Sequence, residues 1–323
     1  MATTDPTLVT APQLQDLTVG EVAGRSPWQI FWSRLRKDRA ALLGGVIIVL
    51  FVLMAVLAPI ISHNIIHHGP NDLFQDQMTN ELGLPKGPTG QFWFGADSNG
   101  RDVFVRTLYG LRTSLVVAIG ATGVAVALGS VLGLIAGFVG GWVDILISRA
   151  VEILLSLPLL LFAIGLAAAC SYSNAGCIGG FIKPGLGLIL FIIAVFSWPY
   201  IARIIRGQTL SLREREFVDA SRSLGASNRR IMFREVLPNM IAPIIIYSTL
   251  IIPSNILFEA YLSYLGVGLP QTTPSLGRLI SDGANLYEKA WWLLLFPGVI
   301  LFLATLAFNL LGDGLRDALD PRG

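Results

Sequence analysis

The side chains with the most direct chemistry are three histidines, His63, His67 and His68, which follow the first long apolar run of the chain. Histidine nitrogens are common zinc ligands, and this spacing allows more than one of them to face a single ion. Structural zinc sites use four ligands, however, and no fourth ligand is apparent in the neighbouring sequence. We interpret the cluster as part of a polar loop, with a metal site as the alternative.

Other signatures of catalysis or nucleotide binding are missing from the sequence. It contains no His-Glu-x-x-His motif and no nucleophile motif. The lysines occur at positions 37, 86, 183 and 289, and none of them belongs to a Gly-Lys-Ser/Thr phosphate-binding loop. We therefore expect no catalytic residue, no metal site and no cofactor-binding residue. If ATP drives this protein, another subunit binds the ATP.

The composition is that of a membrane protein. Of the 323 residues 14% are charged and 53% are hydrophobic, whereas soluble domains have about 25% charged residues. We predict an all-α integral membrane protein with six spans, each long enough to cross about 30 Å of hydrocarbon. The predicted spans are residues 41–62, 114–138, 144–169, 186–205, 240–265 and 291–311. The small net charge of +2 gives no indication of a nucleic-acid partner.

The distribution of positive charge predicts the orientation. When the six spans alternate across the membrane, sixteen of the 23 Lys and Arg residues lie on the side of the N terminus. The positive-inside rule then places both termini in the cytoplasm. We expect a disordered cytoplasmic tail (1–26), an interfacial amphipathic helix (27–40), a first transmembrane helix with a long extracytoplasmic loop (41–113), a transmembrane core (114–312) containing a cytoplasmic loop (207–239), and a cytoplasmic tail (313–323). The apolar face of the amphipathic helix would consist of Trp28, Phe31, Trp32 and Leu35, with nearby cations facing anionic lipid.

Charged residues within the predicted spans are candidates for function. Arg149 and Glu152 are three residues apart and can form a structural ion pair near the cytoplasmic end of the third span. Glu259 lies toward the outer end of the fifth span, where we expect a water-exposed carboxylate. A gate or a substrate contact is the alternative for Glu259.

Prolines interrupt three of the spans. We expect Pro158 to kink the third span and Pro199 to break the fourth near its cytoplasmic end. The fifth span contains both Pro243 and Pro253. The backbone carbonyls that these prolines leave free would suit a helix that lines a pathway.

A stripe of small residues marks the second span. It consists of Ala121, Ala125, Gly129, Gly133, Gly137 and Gly141, which recur at every fourth position. Such a face lets another membrane helix approach closely. The sequence leaves open which helix that is.

The two cysteines of the chain, Cys170 and Cys177, lie in a short loop between the third and fourth spans. This loop is expected on the extracytoplasmic side, where disulfides persist. The two residues form either a disulfide or a pair of free thiols.

The most distinctive polar stretch is residues 216–239, EFVDASRSLGASNRRIMFREVLPN, which we call the arginine-rich segment. A first helix is predicted with one face formed by Phe217, Ala220, Ser221 and Leu224. Gly225 would end it, Ser227 or Asn228 would cap a second helix carrying Ile231 and Met232, and Pro238 would begin the next apolar run. This helix–turn–helix outside the membrane suits docking into another protein. The alternatives are an ordinary basic loop or a DNA-binding helix–turn–helix, although the flanking spans disfavour access to a groove.

Part of this segment matches a known signature. Asp219-Ala220-Ser221, Gly225 and Val236-Leu237-Pro238 resemble the cytoplasmic coupling loop of ABC importer permeases, with Asp in place of Glu and Ser in place of the second Ala. Three further blocks resemble the C-type permease of the oligopeptide/dipeptide subfamily. They are FWFGADSNGRD (92–102), SYLGVGLPQTTPSLGRLISDG (263–283) and FNLLGDGLRDALDPRG (308–323).

The resemblance implies the type I ABC importer permease fold with six transmembrane helices. The implied partners are a homologous B-type permease subunit, two ABC ATPase subunits that bind ATP and Mg²⁺, an extracytoplasmic substrate-binding protein and membrane lipids, but no nucleic acid. The implied ATPase-coupling residues are Glu216, Asp219, Ala220, Ser221, Leu224, Gly225, Ile231 and Pro238. Di- or oligopeptides are the expected substrate. Nickel, haem, glutathione or a sugar carried by the same importer class is the alternative, and a secondary transporter is the alternative class.

Overall fold

The computed structural model describes residues 27–81, 83–172, 185–267 and 269–319, which are helical apart from loops and two isolated β-bridges. The helices are α1 (Pro27–Leu35), α2 (Arg39–Ile60, continued by a π-helical turn at Ile61–Ile66), α3 (Gln75–Met78), α4 (Val103–Val139), α5 (Gly141–Ser156), α6 (Leu159–Tyr172), α7 (Leu186–Leu212), α8 (Glu216–Ser223), α9 (Asn228–Arg230, continued by a π-helical turn at Ile231–Val236), α10 (Leu237–Asn239), α11 (Ile241–Tyr264), α12 (Leu276–Ala284) and α13 (Trp292–Leu319).

Within the described residues, five of these helices are long and apolar enough to cross a membrane: α2, α4, α7, α11 and α13. The predicted third span is instead a broken pair, because α5 and α6 meet at an angle of 86°. The break lies at Leu157, whose ψ of 134° is extended. The ring of Pro158 disfavours the helical conformation of the residue before it. The proline therefore ends one helix and starts another, where the sequence predicted only a kink.

Several helices extend beyond their predicted apolar runs. Helix α4 begins at Val103 rather than near residue 114, because Asp102 caps it by accepting hydrogen bonds from the backbone N–H groups of Phe104 and Val105. Helix α7 reaches Leu212, and α13 continues to Leu319, inside the predicted tail. Hydropathy locates only the part of a helix that lies in lipid, whereas these ends pack on protein.

Two expectations about prolines are corrected. Pro199 lies inside α7 without breaking it. Pro243 lies in the first turn of α11, where a missing N–H removes no helical hydrogen bond, so that only Pro253 interrupts the ladder of this helix.

The stripe of small residues on α4 packs against α7. A Cβ atom at Gly133 would lie 2.5 Å from the carbonyl oxygen of Ala202, and one at Gly129 would lie 2.7 Å from that of Trp198. Gly137 is equally close to α7. Gly141 does not continue this face: it starts α5, and a Cβ atom there would meet nothing within 4 Å.

The N-terminal amphipathic helix packs on protein. Helix α1 ends at Leu35, and Asp38 caps α2, so the predicted helix over residues 27–40 is two helices. Phe31 and Leu35 are buried against Ala318 near the end of α13. Trp32 is 44% exposed beneath the guanidinium group of Arg36. The packing of Phe31 and Leu35 on Ala318 holds α1, at the start of the described chain, against its last helix.

Candidate functional site

The arginine-rich segment folds into two helical stretches joined by a tight turn. Gly225 has a φ of +78°, the left-handed conformation expected from the sequence. Its N–H donates to the carbonyl of Arg222, and the N–H of Ala226 donates to that of Ser221. These two bonds satisfy carbonyls that the end of α8 would leave free. Ser227 precedes the second stretch, but its side chain makes no capping hydrogen bond.

One buried valine holds α8 in place. Val218 is fully buried and packs in a cluster with Ile231, Val236 and Ile205 of α7. The helical face predicted from the sequence (Phe217, Ala220, Ser221 and Leu224) does not include Val218, and Leu224 on that face is 88% exposed. An eight-residue helix fits more than one apolar face by periodicity, and only its tertiary partners select one.

The outer side of the arginine-rich segment is an exposed basic surface with apolar residues in it. Arg229, Arg230 and Arg234 surround a shallow depression next to Phe233, which is 40% exposed. Of the predicted coupling residues, Glu216, Asp219, Ala220, Leu224, Gly225 and Pro238 are exposed and Ser221 is half-buried. Ile231 is fully buried, so it supports the surface from beneath and makes no direct contact with a partner.

An ion pair and a hydrogen bond connect α7, which leads into the arginine-rich segment, to α5 and α4. Both guanidinium nitrogens Nε and Nη2 of Arg206 in α7 bind the carboxylate of Asp144 in α5, the latter at 2.7 Å. Nη1 of Arg213 donates to the carbonyl oxygen of Gly137 at the end of α4 (3.1 Å). A displacement of the arginine-rich segment would therefore be transmitted to α4, α5 and α7.

A cavity of about 410 Å³ lies between α7 and α11. Aromatic side chains from both helices line it, among them Phe196, Tyr200, Tyr247 and Phe258. Among the described residues, none of the side chains that line it is Asp, Glu, Lys or Arg. The cavity combines apolar walls with a few neutral polar groups, the chemistry typical of a small-molecule site.

Helix α11 carries two buried polar side chains, Asn255 in the lining of this cavity and Glu259 one turn later. Asn255 accepts a hydrogen bond from Ser197 of α7 and donates one to Thr122 of α4. Glu259 is fully buried, so the expectation of a water-exposed carboxylate was wrong. Hydropathy places a residue along a helix but does not show which side of the helix faces protein.

At the opposite end of the molecule from the arginine-rich segment, charged side chains organise the long loop before α4. Asp97 pairs with Arg101 at 2.7 Å and with the fully buried Arg106 at 3.4 Å. His68 is hydrogen-bonded through Nδ1 to Asp102 (2.8 Å). Among the described residues, no group of three His, Cys, Asp or Glu side chains could hold a metal ion.

Two further predicted pairs are the ion pair Arg149–Glu152 and the cysteines Cys170 and Cys177. The structure describes both members of the first pair and one member of the second. Nη1 of Arg149 lies 2.7 Å from Oε2 of Glu152, and both side chains are more than half exposed. Such a pair contributes little to stability in water. Cys170 is disulfide-bonded, whereas Cys177 lies outside the described residues.

Two protein-family models match separate parts of the chain. Residues 129–322 match the family model described as "Binding-protein-dependent transport system inner membrane component". Residues 26–83 match the model described as "N-terminal TM domain of oligopeptide transport permease C".

Several curated proteins are similar over most of their length. The dipeptide transport system permease protein of Alkalihalophilus pseudofirmus is 39% identical over 297 residues, covering 92% of this chain and 90% of that protein. The oligopeptide transport system permease protein of Escherichia coli is 40% identical over 302 residues, covering 94% and 93%. The glutathione transport system permease protein of Pectobacterium atrosepticum is 34% identical over 315 residues, covering 98% and 96%.

A solved structure has a similar fold. A chain of the MetNI methionine ABC transporter in an inward-facing conformation aligns with a TM-score of 0.52 and 17% identity, covering 68% of this chain and 96% of that one. At this identity the similarity concerns the fold alone.

Proposed function

This chain belongs to the family of binding-protein-dependent transport system inner membrane components, and we propose that it is the membrane permease subunit of an ATP-driven importer for di- or oligopeptides. One observation carries the proposal: relatives named as dipeptide and oligopeptide permeases are 36–40% identical to it over at least nine tenths of the chain. The five long apolar helices and the broken pair make it a multi-pass membrane protein.

The proposed substrate class is peptide. Relatives named for dipeptide and oligopeptide transport support this class. The uncharged cavity between α7 and α11 supports this proposal, because peptides with different side chains could pass it without requiring one fixed ion pair. Nickel, haem, glutathione or a sugar is the alternative within the same importer class, and one relative is named for glutathione transport.

The exposed basic surface of the arginine-rich segment is the proposed docking site for an ATPase subunit. Leu224 and Phe233 would enter an apolar cleft of that subunit, and the surrounding arginines would face acidic groups at its rim. ATP and Mg²⁺ would be bound by two such ATPase subunits, and this chain would bind no cofactor. Both termini and the arginine-rich segment would lie in the cytoplasm, with a homologous B-type permease beside the chain and a substrate-binding protein on the other side.

The mechanism follows from the connections of this surface. ATP binding would close the two ATPase subunits and displace the docked arginine-rich segment. The buried Val218 cluster and the hydrogen bonds of Arg206 and Arg213 would pass the displacement to α4, α5 and α7. The cavity between α7 and α11 would then open alternately to the two sides of the membrane.

A reconstituted assembly tests this function. We would measure ATP hydrolysis in nanodiscs that contain this chain with its B-type permease and ATPase partners, with and without binding protein and a peptide library. Stimulation by binding protein and peptide is the expected result. An assembly that responds to metal, haem or sugar but not to peptide would replace the substrate, and the absence of any complex with an ATPase would overturn the importer.

Two matched glycine variants test the docking surface. Gly225→Asp should leave membrane insertion intact and abolish the stimulated ATP hydrolysis, since both the left-handed turn and the docking surface change. Gly83→Asp is the control, because Gly83 also has a positive φ with open space around it but lies in the long loop before α4. Equal loss in the two variants, or normal stimulation in Gly225→Asp, would contradict the docking role.

A further inference from the structure

The carboxylate of Glu259 joins three helices near the end of α11. Its Oε2 accepts a hydrogen bond from the hydroxyl of Ser114 in α4 (2.5 Å), and its Oε1 accepts one from Ser263, one turn later in α11 (2.7 Å). The hydroxyl of Ser275, which caps α12, also interacts with the carboxylate. Helices α4, α11 and α12 therefore meet at a single side chain.

Stability alone is a weak explanation for a carboxylate in this place. None of the ion pairs found among the described residues involves Glu259. A buried carboxylate is costly to desolvate, and an apolar residue of similar volume often gives equal or higher stability. The carboxylate fixes the relative position of the helices that carry its hydroxyl partners, because those hydroxyls must stay within hydrogen-bonding distance to offset the cost of desolvation.

The first turn of α12 packs closely against α11 and α4. A Cβ atom at Gly277 would lie 2.0 Å from the carbonyl oxygen of Ala260 in α11. A Cβ atom at Gly110 of α4 would lie 3.1 Å from the carbonyl carbon of Ser275. Leu276 is fully buried in a cluster that includes residues of α4 and α11. Helix α12 is thus held by close packing as well as by the carboxylate, and we call this arrangement the α12 seat.

Helix α11 connects the α12 seat to the arginine-rich segment. Its 24 residues span about 36 Å at 1.5 Å per residue. Its first residue follows α10 after a single residue, Met240, and its last two turns carry Glu259, Ala260 and Ser263. Beyond α12, the loop at residues 285–289 is largely exposed on the far side of the molecule.

We propose that Glu259 is a positioning residue that fixes α12 to α4 and α11, so that a protein bound at the 285–289 loop displaces α11 and, through it, the arginine-rich segment. This inference rests on the proposed function, since the bound protein is then the substrate-binding protein. The loop, α12, the carboxylate and α11 form one continuous mechanical connection between the two faces of the chain.

Two substitutions remove the connection in different ways. Glu259→Leu replaces the buried carboxylate by an apolar side chain of similar size, so folding should be preserved while the hydroxyls of Ser114 and Ser263 lose their acceptor. Ser114→Ala removes only the bond from α4. The matched control is Ser130→Ala, because Ser130 is a buried serine of the same helix whose hydroxyl has no hydrogen-bond partner.

Two measurements on the assembled transporter in nanodiscs test whether Glu259 positions α12 and whether binding at the 285–289 loop is transmitted to the arginine-rich segment. We expect amide hydrogen exchange in residues 276–284 to accelerate at least tenfold in Glu259→Leu, and to accelerate less in Ser114→Ala. The ratio of ATP hydrolysis with binding protein to that without it should fall at least fivefold in Glu259→Leu. Ser130→Ala should change neither quantity.

Each other outcome has a defined meaning. Unchanged exchange in both seat variants would overturn the positioning role, and faster exchange with an unchanged ratio would overturn the transmission. If Glu259→Leu fails to assemble, Ser114→Ala decides both points. If the wild-type assembly shows no response to binding protein, the proposed function fails, while the exchange experiment still decides whether Glu259 fixes α12.

Discussion

Helices α8 and α12 are short helices at the two ends of α11, and each depends on one glycine for a different reason. Gly225 follows α8 at a φ of +78°, and a Cβ atom there would meet nothing within 4 Å. Gly277 lies inside α12, where a Cβ atom would be 2.0 Å from the carbonyl oxygen of Ala260. The first glycine is required by backbone conformation and the second by space.

The two glycines mark an open surface, which we propose as a docking site, and a closely packed contact within the chain. Around Gly225 the turn is open, and Leu224 beside it is 88% exposed. Around Gly277 the neighbours are packed and the polar groups are used within the chain. The exposed turn at Gly225 has room for another protein. The α12 seat has none, and in our proposal it only transmits a displacement of the 285–289 loop to α11.

The largest expected effect concerns space. Gly277→Ala should separate α12 from α11, because the added methyl group meets rigid backbone and no side chain can move aside. We expect the yield of folded protein after size-exclusion chromatography to fall at least fivefold. The control is Gly123→Ala, since a Cβ atom at Gly123 meets nothing within 4 Å. Equal yields for both variants would show that close packing does not require glycine at position 277.

The intermediate effect concerns backbone conformation. Gly225→Ala should destabilise the turn after α8 by about 1–2 kcal/mol, the cost of the left-handed region for a residue with a Cβ atom. Asparagine tolerates this region better, so Gly225→Asn should lose less. Hydrogen exchange in residues 216–226 would measure the two changes. Indistinguishable exchange in the two variants would show that the turn does not depend on φ.

The smallest effect on stability should accompany a clear effect on coupling. Leu224→Ala removes an exposed side chain, so we expect the free energy of unfolding to change by less than about 0.5 kcal/mol. Stimulated ATP hydrolysis should nevertheless fall several-fold, because the side chain would enter the ATPase subunit. Thermal unfolding in nanodiscs and the ATPase assay measure the two quantities separately. Unchanged hydrolysis would exclude Leu224 from the docking surface.

The sequence predicted local features of this chain well. The apolar runs located the spans, and the left-handed turn at Gly225 followed from the residue type and its position after a helix. The family resemblance was carried by four blocks of sequence and agrees with the family match. The spans and the turn depend on residues that are close together along the chain, and each family block is a continuous stretch of sequence.

Features that depend on distant residues were missed or wrong. Glu259 was wrongly expected to be exposed to water. Its hydroxyl partner Ser114 is 145 residues away in the sequence, so no local pattern indicated the contact that buries it. Val218 was overlooked because an eight-residue helix allows more than one apolar face. Gly141 was assigned to the packing face because the spacing of four continued past the end of α4.

The sequence by itself determined the membrane class, the approximate spans, the left-handed turn at Gly225, and the family. These follow from hydrophobic length and backbone stereochemistry, which act along the chain. Tertiary structure decided which face of each helix is buried, that α7 is the partner of the small-residue stripe on α4, and that Glu259 lies within the α12 seat. Those outcomes depend on which helices pack together, and helix packing joins residues that no local pattern relates.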